Sequence, residues 1–143
     1  MKYKIVINSE QEEDAVISLR ERGELLGRIE SVLSEREELF GYKDNEAVRL
    51  DAAELYCFFI EGGRVYALCS SGKYLIKDRL YRLERSYSED FVKINQSCLV
   101  NVSKIIRFTT SFGGSLRVEL LGGYRDYISR RQLKSVKERI GLK

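Results

Sequence analysis

A chain of 143 residues, 43% of them apolar, has room for one core-bearing domain and a short appendage. It contains no apolar run of about 18 residues that could span a bilayer, and its charged start lacks the apolar stretch and cleavage site of a secretory leader, so the expected compartment is the cytoplasm. The net charge of +3 hides a gradient: residues 1–44 hold 7 Lys and Arg against 11 Asp and Glu, residues 45–90 hold 7 against 8, and residues 91–143 hold 11 against 3, an excess that focuses a field on a polyanion such as nucleic acid.

Lys2 to Ile7 alternates as KYKIVI, which predicts a short strand with Tyr3, Ile5 and Ile7 on one side. A helix is expected next. Asn8 and Ser9 are its cap candidates, the acids from Glu10 to Asp14 complement its dipole, and Ala15, Val16, Leu19, Leu26, Ile29, Val32 and Leu33 recur at helical spacing to about Arg36. Gly23 and Gly27 each cost such a helix roughly 1 kcal/mol relative to alanine, which predicts a close backbone neighbour or a break. Its apolar stripe suits either a face docked on its own domain or a dimer seam.

From Glu46 the pattern turns to short strands. AVRL, a capped half-turn at Asp51 to Glu54, LYCFFIE, a Gly62-Gly63 turn, RVYALCS, a Ser71-Gly72 turn and KYLIK form a meander. Asp78 is placed to cap a helix over DRLYRLERS with Leu80 and Leu83 inward. The stretch FVKINQSCLVN at 91–101 then breaks both periodicities, because Asn95, Gln96 and Ser97 intrude among the apolar anchors Phe91, Ile94, Leu99 and Val100. Such a cluster is either a self-satisfied turn or a reading surface. Three more extended segments, IIRFTTSF, SLRVELL and YRDYIS, are joined by Gly113-Gly114 and Gly122-Gly123. The last helix covers SRRQLKSVKERIG, with Ser129 and Gln132 as a capping box, Leu133, Val136 and Ile140 as the buried stripe and Gly141 as its stop.

Several chemistries are excluded. With no histidine anywhere, and with Cys57, Cys69 and Cys98 widely spaced, neither a four-ligand zinc site nor a disulfide framework can be assembled, and the cysteines read as reduced thiols. Proton transfer by histidine, a Gly-rich phosphate cradle and a nucleophile elbow are all missing, so an enzyme, a cofactor and a small-molecule substrate are not expected. Tyr74, Tyr81 and Phe91 are given to the core, and Tyr124 and Tyr127 to a half-buried strand rather than a stacking platform.

The blocks FVKINQSCLVNVSKI at 91–105, the strand pair around Phe112-Gly113-Gly114 and GGYRDYISRRQLKSVKERIG at 122–141 stand in an order and separation that resembles the LytTR DNA-binding domain of bacterial transcription regulators. The resemblance covers about residues 45 to 142. It implies a mainly β fold with short helices, elongated and antiparallel, preceded in this chain by an N-terminal strand and helix, in which loops enter successive major grooves of double-stranded DNA. By the same resemblance the contacts come from the loop at 93–97, the start of the last helix and the turn after the domain's second strand. Gln96 and Arg131 match base-contacting positions, and Arg130 matches a backbone contact. Gly62-Gly63-Arg64 replaces what is often a longer polar turn, so Arg64 is carried over only as a candidate.

The residue chemistry agrees with those assignments. Asparagine and glutamine can meet adenine bidentately and arginine can meet guanine, which makes Asn95, Gln96, Arg131 and Arg64 the candidate base contacts. Lys93, Ser97, Arg130 and Lys134 are the candidate phosphate contacts. RNA binding, or a protein-interaction module with a basic face, is the competing reading, although no RNP-like aromatic signature marks a strand. Residues 1–44 are too few for a receiver domain of about 120 residues. They are expected to dimerise the protein on repeated sites or to dock a partner, and stand-alone LytTR regulators imply a small membrane protein as an inhibitor. Residues 45–143 are the expected DNA-binding domain.

Overall fold

A computed structural model describes residues 4–12, 16–20, 23–33, 38–110 and 113–142. The chain divides into two compact units, Met1–Arg36 and Glu37–Lys143.

In the first unit, helix α1 spans Glu24–Leu33 and is supported by an Arg28–Glu24 ion pair one turn apart at 3.1 Å, worth a few tenths of a kcal/mol. Two expectations fail here. Residues 4–8 form no strand, and residues 16–20 are not helical. Alternation alone does not make a strand without a partner, and Ile7 stands 94% exposed with none. The β-branched pair Val16-Ile17 is likewise exposed, and an unburied apolar face leaves a helix marginal. Gly23 marks where the helix begins rather than an interruption within it. Asn8 shapes a local turn instead of a helix cap, its Oδ1 accepting from the Glu10 amide at 3.1 Å. Lys2, Tyr3, Ala15, Arg36 and Phe112 lie outside the described residues.

The described residues of the second unit form ten strands, all paired antiparallel. In chain order they are β1 (Leu39–Lys43), β2 (Glu46–Leu50), β3 (Cys57–Glu61), β4 (Arg64–Cys69), β5 (Gly72–Ile76), β6 (Phe91–Asn95), β7 (Cys98–Asn101), β8 (Ile105–Thr110), β9 (Leu116–Leu120) and β10 (Arg125–Ile128). Helix α2 spans Leu80–Ser86 between β5 and β6, and α3 spans Arg130–Ile140. Seven strands form one sheet in the order β2-β1-β5-β4-β3-β7-β6, and three form a second in the order β10-β9-β8. Strand β1 precedes the expected domain start at residue 45. The Asp44-Asn45 turn that joins it to β2 holds two non-glycine residues at φ 50° and 65°, a conformation Asp and Asn tolerate best.

The large sheet is the middle layer, because successive side chains along it enter opposite cores. Phe58, Ala67, Ile76, Phe91 and Leu99 meet Leu80 and Leu83 of α2 and Tyr87 on one face. Cys57, Val92, Ile94, Cys98 and Val100 meet Val118, Leu120, Ile128 and Val136 on the other. The second core thus belongs to the small sheet and α3. Both inward leucines of α2 stand as expected, but Tyr81 is 55% exposed and does not join the core. Asp78 does not cap α2: the N-cap residue is Arg79, whose own amide donates to Asp78 Oδ1 at 2.7 Å. The β4–β5 turn is Ser70-Ser71, since Cys69 pairs with Gly72. Gly141 ends α3 at φ 72°, as the sequence predicts.

Gly41 lies where β1 crosses Tyr74. A Cβ there would stand 2.5 Å from Tyr74 Cβ and 2.6 Å from Leu50 Cδ1, so Gly41→Ala is expected to lower stability by about 1–3 kcal/mol through overpacking. A urea midpoint equal to that of the parent chain would contradict this.

Candidate nucleic-acid interface

Strand register gathers the expected contact residues at one end of the large sheet. Glu61 pairs with Arg64, Val65 with Ile76 and Phe59 with Cys98. The β3–β4 turn, the end of β5 and the β6–β7 turn therefore open in the same direction. Gly62 and Gly63 make the first of these turns at φ 58° and 76°, the pair of positive values that a two-residue hairpin loop requires. Between the turns lies a groove of about 740 Å³ whose wall includes Arg64, Lys93 and Gln96 over a floor of Ile60, Val65 and Leu80. Three of the expected contacts share one cleft.

The β6–β7 turn owes its shape to a bulge. Lys93 pairs with Leu99 but Asn95 pairs with Cys98, leaving Ile94 as an extra residue. Asn95 is 3% exposed. Its Nδ2 donates to the Tyr127 carbonyl and its Oδ1 accepts from the Ser97 amide, both at 2.9 Å. With both amide atoms committed inside the protein, Asn95 cannot reach a base edge, and its assignment as a base contact is corrected to a structural one. Gln96 and Ser97 are exposed at the tip, and the Ser97 carbonyl accepts from the Ile60 amide at 2.9 Å, which fixes the turn to β3. Asn101, buried one strand away, donates to the Leu55 carbonyl at 2.9 Å and has a structural role.

Arg130 and Arg131 occupy the first turn of α3 and are exposed. Ser129 is the N-cap residue, but its hydroxyl makes no capping bond, so the expected capping box is absent. Its amide donates instead to the Ile94 carbonyl at 2.9 Å. Hence the start of α3 abuts the bulge beneath Gln96. Arg130 and Lys134 line a second groove of about 570 Å³ along α3. A helix start with two cations and no side-chain cap favours an anion there.

Two sets of cations in the second unit differ in their partners. Arg107 and Arg125 both engage Glu119, at 3.2 and 3.5 Å, and Lys104 reaches Glu54 at 4.0 Å. Among the described residues, Arg64, Lys93, Arg130, Arg131 and Lys134 take part in no ion pair. The groove also contains Lys77 and Arg79, which sequence reasoning missed. Their signal is the run KDR after KYLI, obscured because Asp78 there resembles a helix cap. Both are exposed, and Lys77 Nζ lies 4.1 Å from the centroid of the Tyr42 ring.

Beneath the surface lie a thiol and a phenol. Cys98 Sγ lies 3.9 Å from the Tyr124 hydroxyl, which donates to Asp126 Oδ2 at 3.3 Å. A hydrogen bond with Cys57, reinforced by burial, holds the Cys98 thiol well above its ordinary pKa, and burial pushes the Tyr124 phenol up. Because the folded thiol titrates above the unfolded one, its contribution to stability is complete below about pH 8.5 and is lost as the pH rises beyond it. Cys57, Cys69 and Cys98 are all free, and only Cys69 is partly accessible. Alkylation of the native chain near pH 8 is expected at Cys69 alone, with Cys57 and Cys98 reacting once urea unfolds it. Reaction of Cys98 at the rate of Cys69 would contradict that placement.

Comparison with known proteins agrees with this fold. The family profile described as the LytTr DNA-binding domain matches residues 45–141. A protein of Staphylococcus aureus strain NCTC 8325, named as an uncharacterized HTH-type transcriptional regulator, is 34% identical over 104 residues, covering 73% of this chain and 71% of its own. A counterpart of the same description in the bovine strain RF122 is 33% identical over the same span. Among solved structures, the LytTr DNA-binding domain of a Bacillus cereus protein described as a methyl-accepting/DNA response regulator superposes with a TM-score of 0.69 at 14% identity, over 74% of this chain and 99% of that one. In this chain α3 follows a strand, and five strands separate it from α2. The described residues present no helix-turn-helix pair.

Proposed function

Because the chain belongs to the LytTr DNA-binding domain family, we propose that it is a transcriptional regulator that reads double-stranded DNA sequence-specifically through its loops in the major groove. The observation that carries the reading is the exposure of Gln96 on the β6–β7 turn and of Arg131 in the first turn of α3, two segments joined backbone to backbone, amid cations that have no acidic partner among the described residues. Gln96 reads an adenine edge and Arg131 a guanine edge. Arg64 is a third base contact from the β3–β4 turn, across the groove from Gln96. Lys93, Ser97, Arg130 and Lys134 grip phosphate, with Arg79 adding to that grip.

Neutralising roughly 5 to 8 phosphates gives a slope of log affinity against log salt of about −0.9 per phosphate. On duplexes selected from a random pool, Gln96→Ala and Arg131→Ala are each expected to cost about 1–3 kcal/mol and to relax preference at particular base pairs. Lys134→Ala is expected to weaken selected and random duplexes alike. Titrations in which all three changes cost the same on both duplexes would remove the base-reading assignment, and tighter binding to single-stranded RNA would favour the competing reading.

The N-terminal segment serves dimerisation on repeated sites or the docking of a restraining partner, a small membrane protein by resemblance to stand-alone LytTR regulators. Ile5, Val6 and Ile7, each more than 70% exposed, supply apolar surface for either role. Among the described residues, no helix is long and apolar enough to cross a membrane. Removal of residues 1–36, which spares β1, is expected to turn a dimer into a monomer in size exclusion with light scattering. Two monomeric species would eliminate dimerisation through this segment.

A further inference from the structure

The turn and the helix entry assigned to base reading meet at a single buried side chain. Asn95 lies 32 residues before Tyr127, and its Nδ2 donates to the Tyr127 carbonyl at 2.9 Å. Two positions further on, the Ser129 amide donates to the Ile94 carbonyl at 2.9 Å. These bonds run in opposite directions and join the end of β6 to the entry of α3. The other end of the same amide, Oδ1, accepts from the Ser97 amide and closes the turn that presents Gln96. One asparagine therefore shapes the β6–β7 turn with its oxygen and holds the end of β10, just before α3, with its nitrogen.

The surroundings make this joint stiff. Ile94 and Cys98 beside it are fully buried and Asn95 is nearly so, so water does not compete for its bonds and each is costly to leave unmade. Helix α3 and strand β10 both pack on β6, which leaves the turn and the helix entry little freedom to shift separately.

We infer that Asn95 is a positioning residue that sets the spacing between Gln96 and Arg131, so that sequence discrimination depends on an amide that touches no base. The inference rests on the assignment of those two residues as base readers. Bidentate base contacts need placement to about half an ångström, whereas long cationic side chains follow phosphates through small shifts. Loosening the joint should therefore cost discrimination before it costs affinity.

The test uses the full chain and two variants. Asn95→Asp keeps an oxygen for the Ser97 amide but, while ionised, has no donor for the Tyr127 carbonyl; Asn95→Ala removes both and introduces no charge. Without DNA, the expected result for Asn95→Asp near neutral pH is exchange of the Ser129 amide faster by about tenfold or more, with the Ser97 amide still slow. As the pH falls and the carboxyl takes up a proton it becomes a donor again, and protection of Ser129 should return. In Asn95→Ala both amides should exchange faster. With DNA, the ratio of selected to random affinity should fall by about tenfold or more in each folded variant, while random binding stays within about twofold. Unchanged Ser129 exchange in both variants would overturn the inference whatever the duplexes do, and so would an intact affinity ratio once that amide has loosened. A parent chain that binds selected and random duplexes equally would sink the base-reading assignment, and with it the positioning role of Asn95, while the exchange data would still report whether the joint exists.

Discussion

An extra residue in β6 constrains everything around the interface. Side chains alternate along a strand, so a single inserted residue reverses which face each later one meets. Lys93 opens into the cleft on the α2 side, and Ile94 drops into the opposite core with Val118 and Val136. Asn95 then remains inward where an uninterrupted hairpin would have turned it out. That placement lets a polar side chain be satisfied in the interior and frees the next two residues, Gln96 and Ser97, for solvent. The carbonyl of the inserted Ile94 accepts the bond that seats the start of α3.

Charge is distributed to suit that geometry. Glu119 occupies two arginines of the small sheet, and the pKa values of the buried Cys98 thiol and the half-buried Tyr124 phenol are raised. The cations left without acids stand at the groove and at the first turn of α3, where positive charge opposes the helix dipole by a few tenths of a kcal/mol unless an anion is bound. Those cations include the ones to which the proposed function assigns the phosphate backbone.

Much of the second unit is legible in the sequence because its signals are local and mutually consistent. Paired glycines at 62–63, 113–114 and 122–123 mark turns, and the stripe of Leu133, Val136 and Ile140 with Gly141 as its stop marks α3. What escapes is tertiary. Strand β1 is hidden because LFGYK has a glycine at its centre and its turn uses Asp44-Asn45 rather than a glycine pair; only packing against Tyr74 explains Gly41. Asn95 and Gln96 are chemically interchangeable on paper, and the bulge alone sends one inward and the other out. The expected N-terminal strand and long helix rest on periodicity, which reports a preference for burial but not whether a surface exists to bury against.

The functional account depends on the proposal that the β6–β7 turn and the start of α3, distant in sequence, present one reading surface. Amide resonances followed by NMR during titration with a duplex selected from a random pool test it most directly. Gln96, Ser97, Arg130 and Arg131 are predicted to shift together, saturating at the same ratio of DNA to protein, while the Asn95 side-chain amide keeps its bond to Tyr127. Shifts confined to one of these two segments, or centred on a surface that includes neither Gln96 nor Arg131, would contradict it.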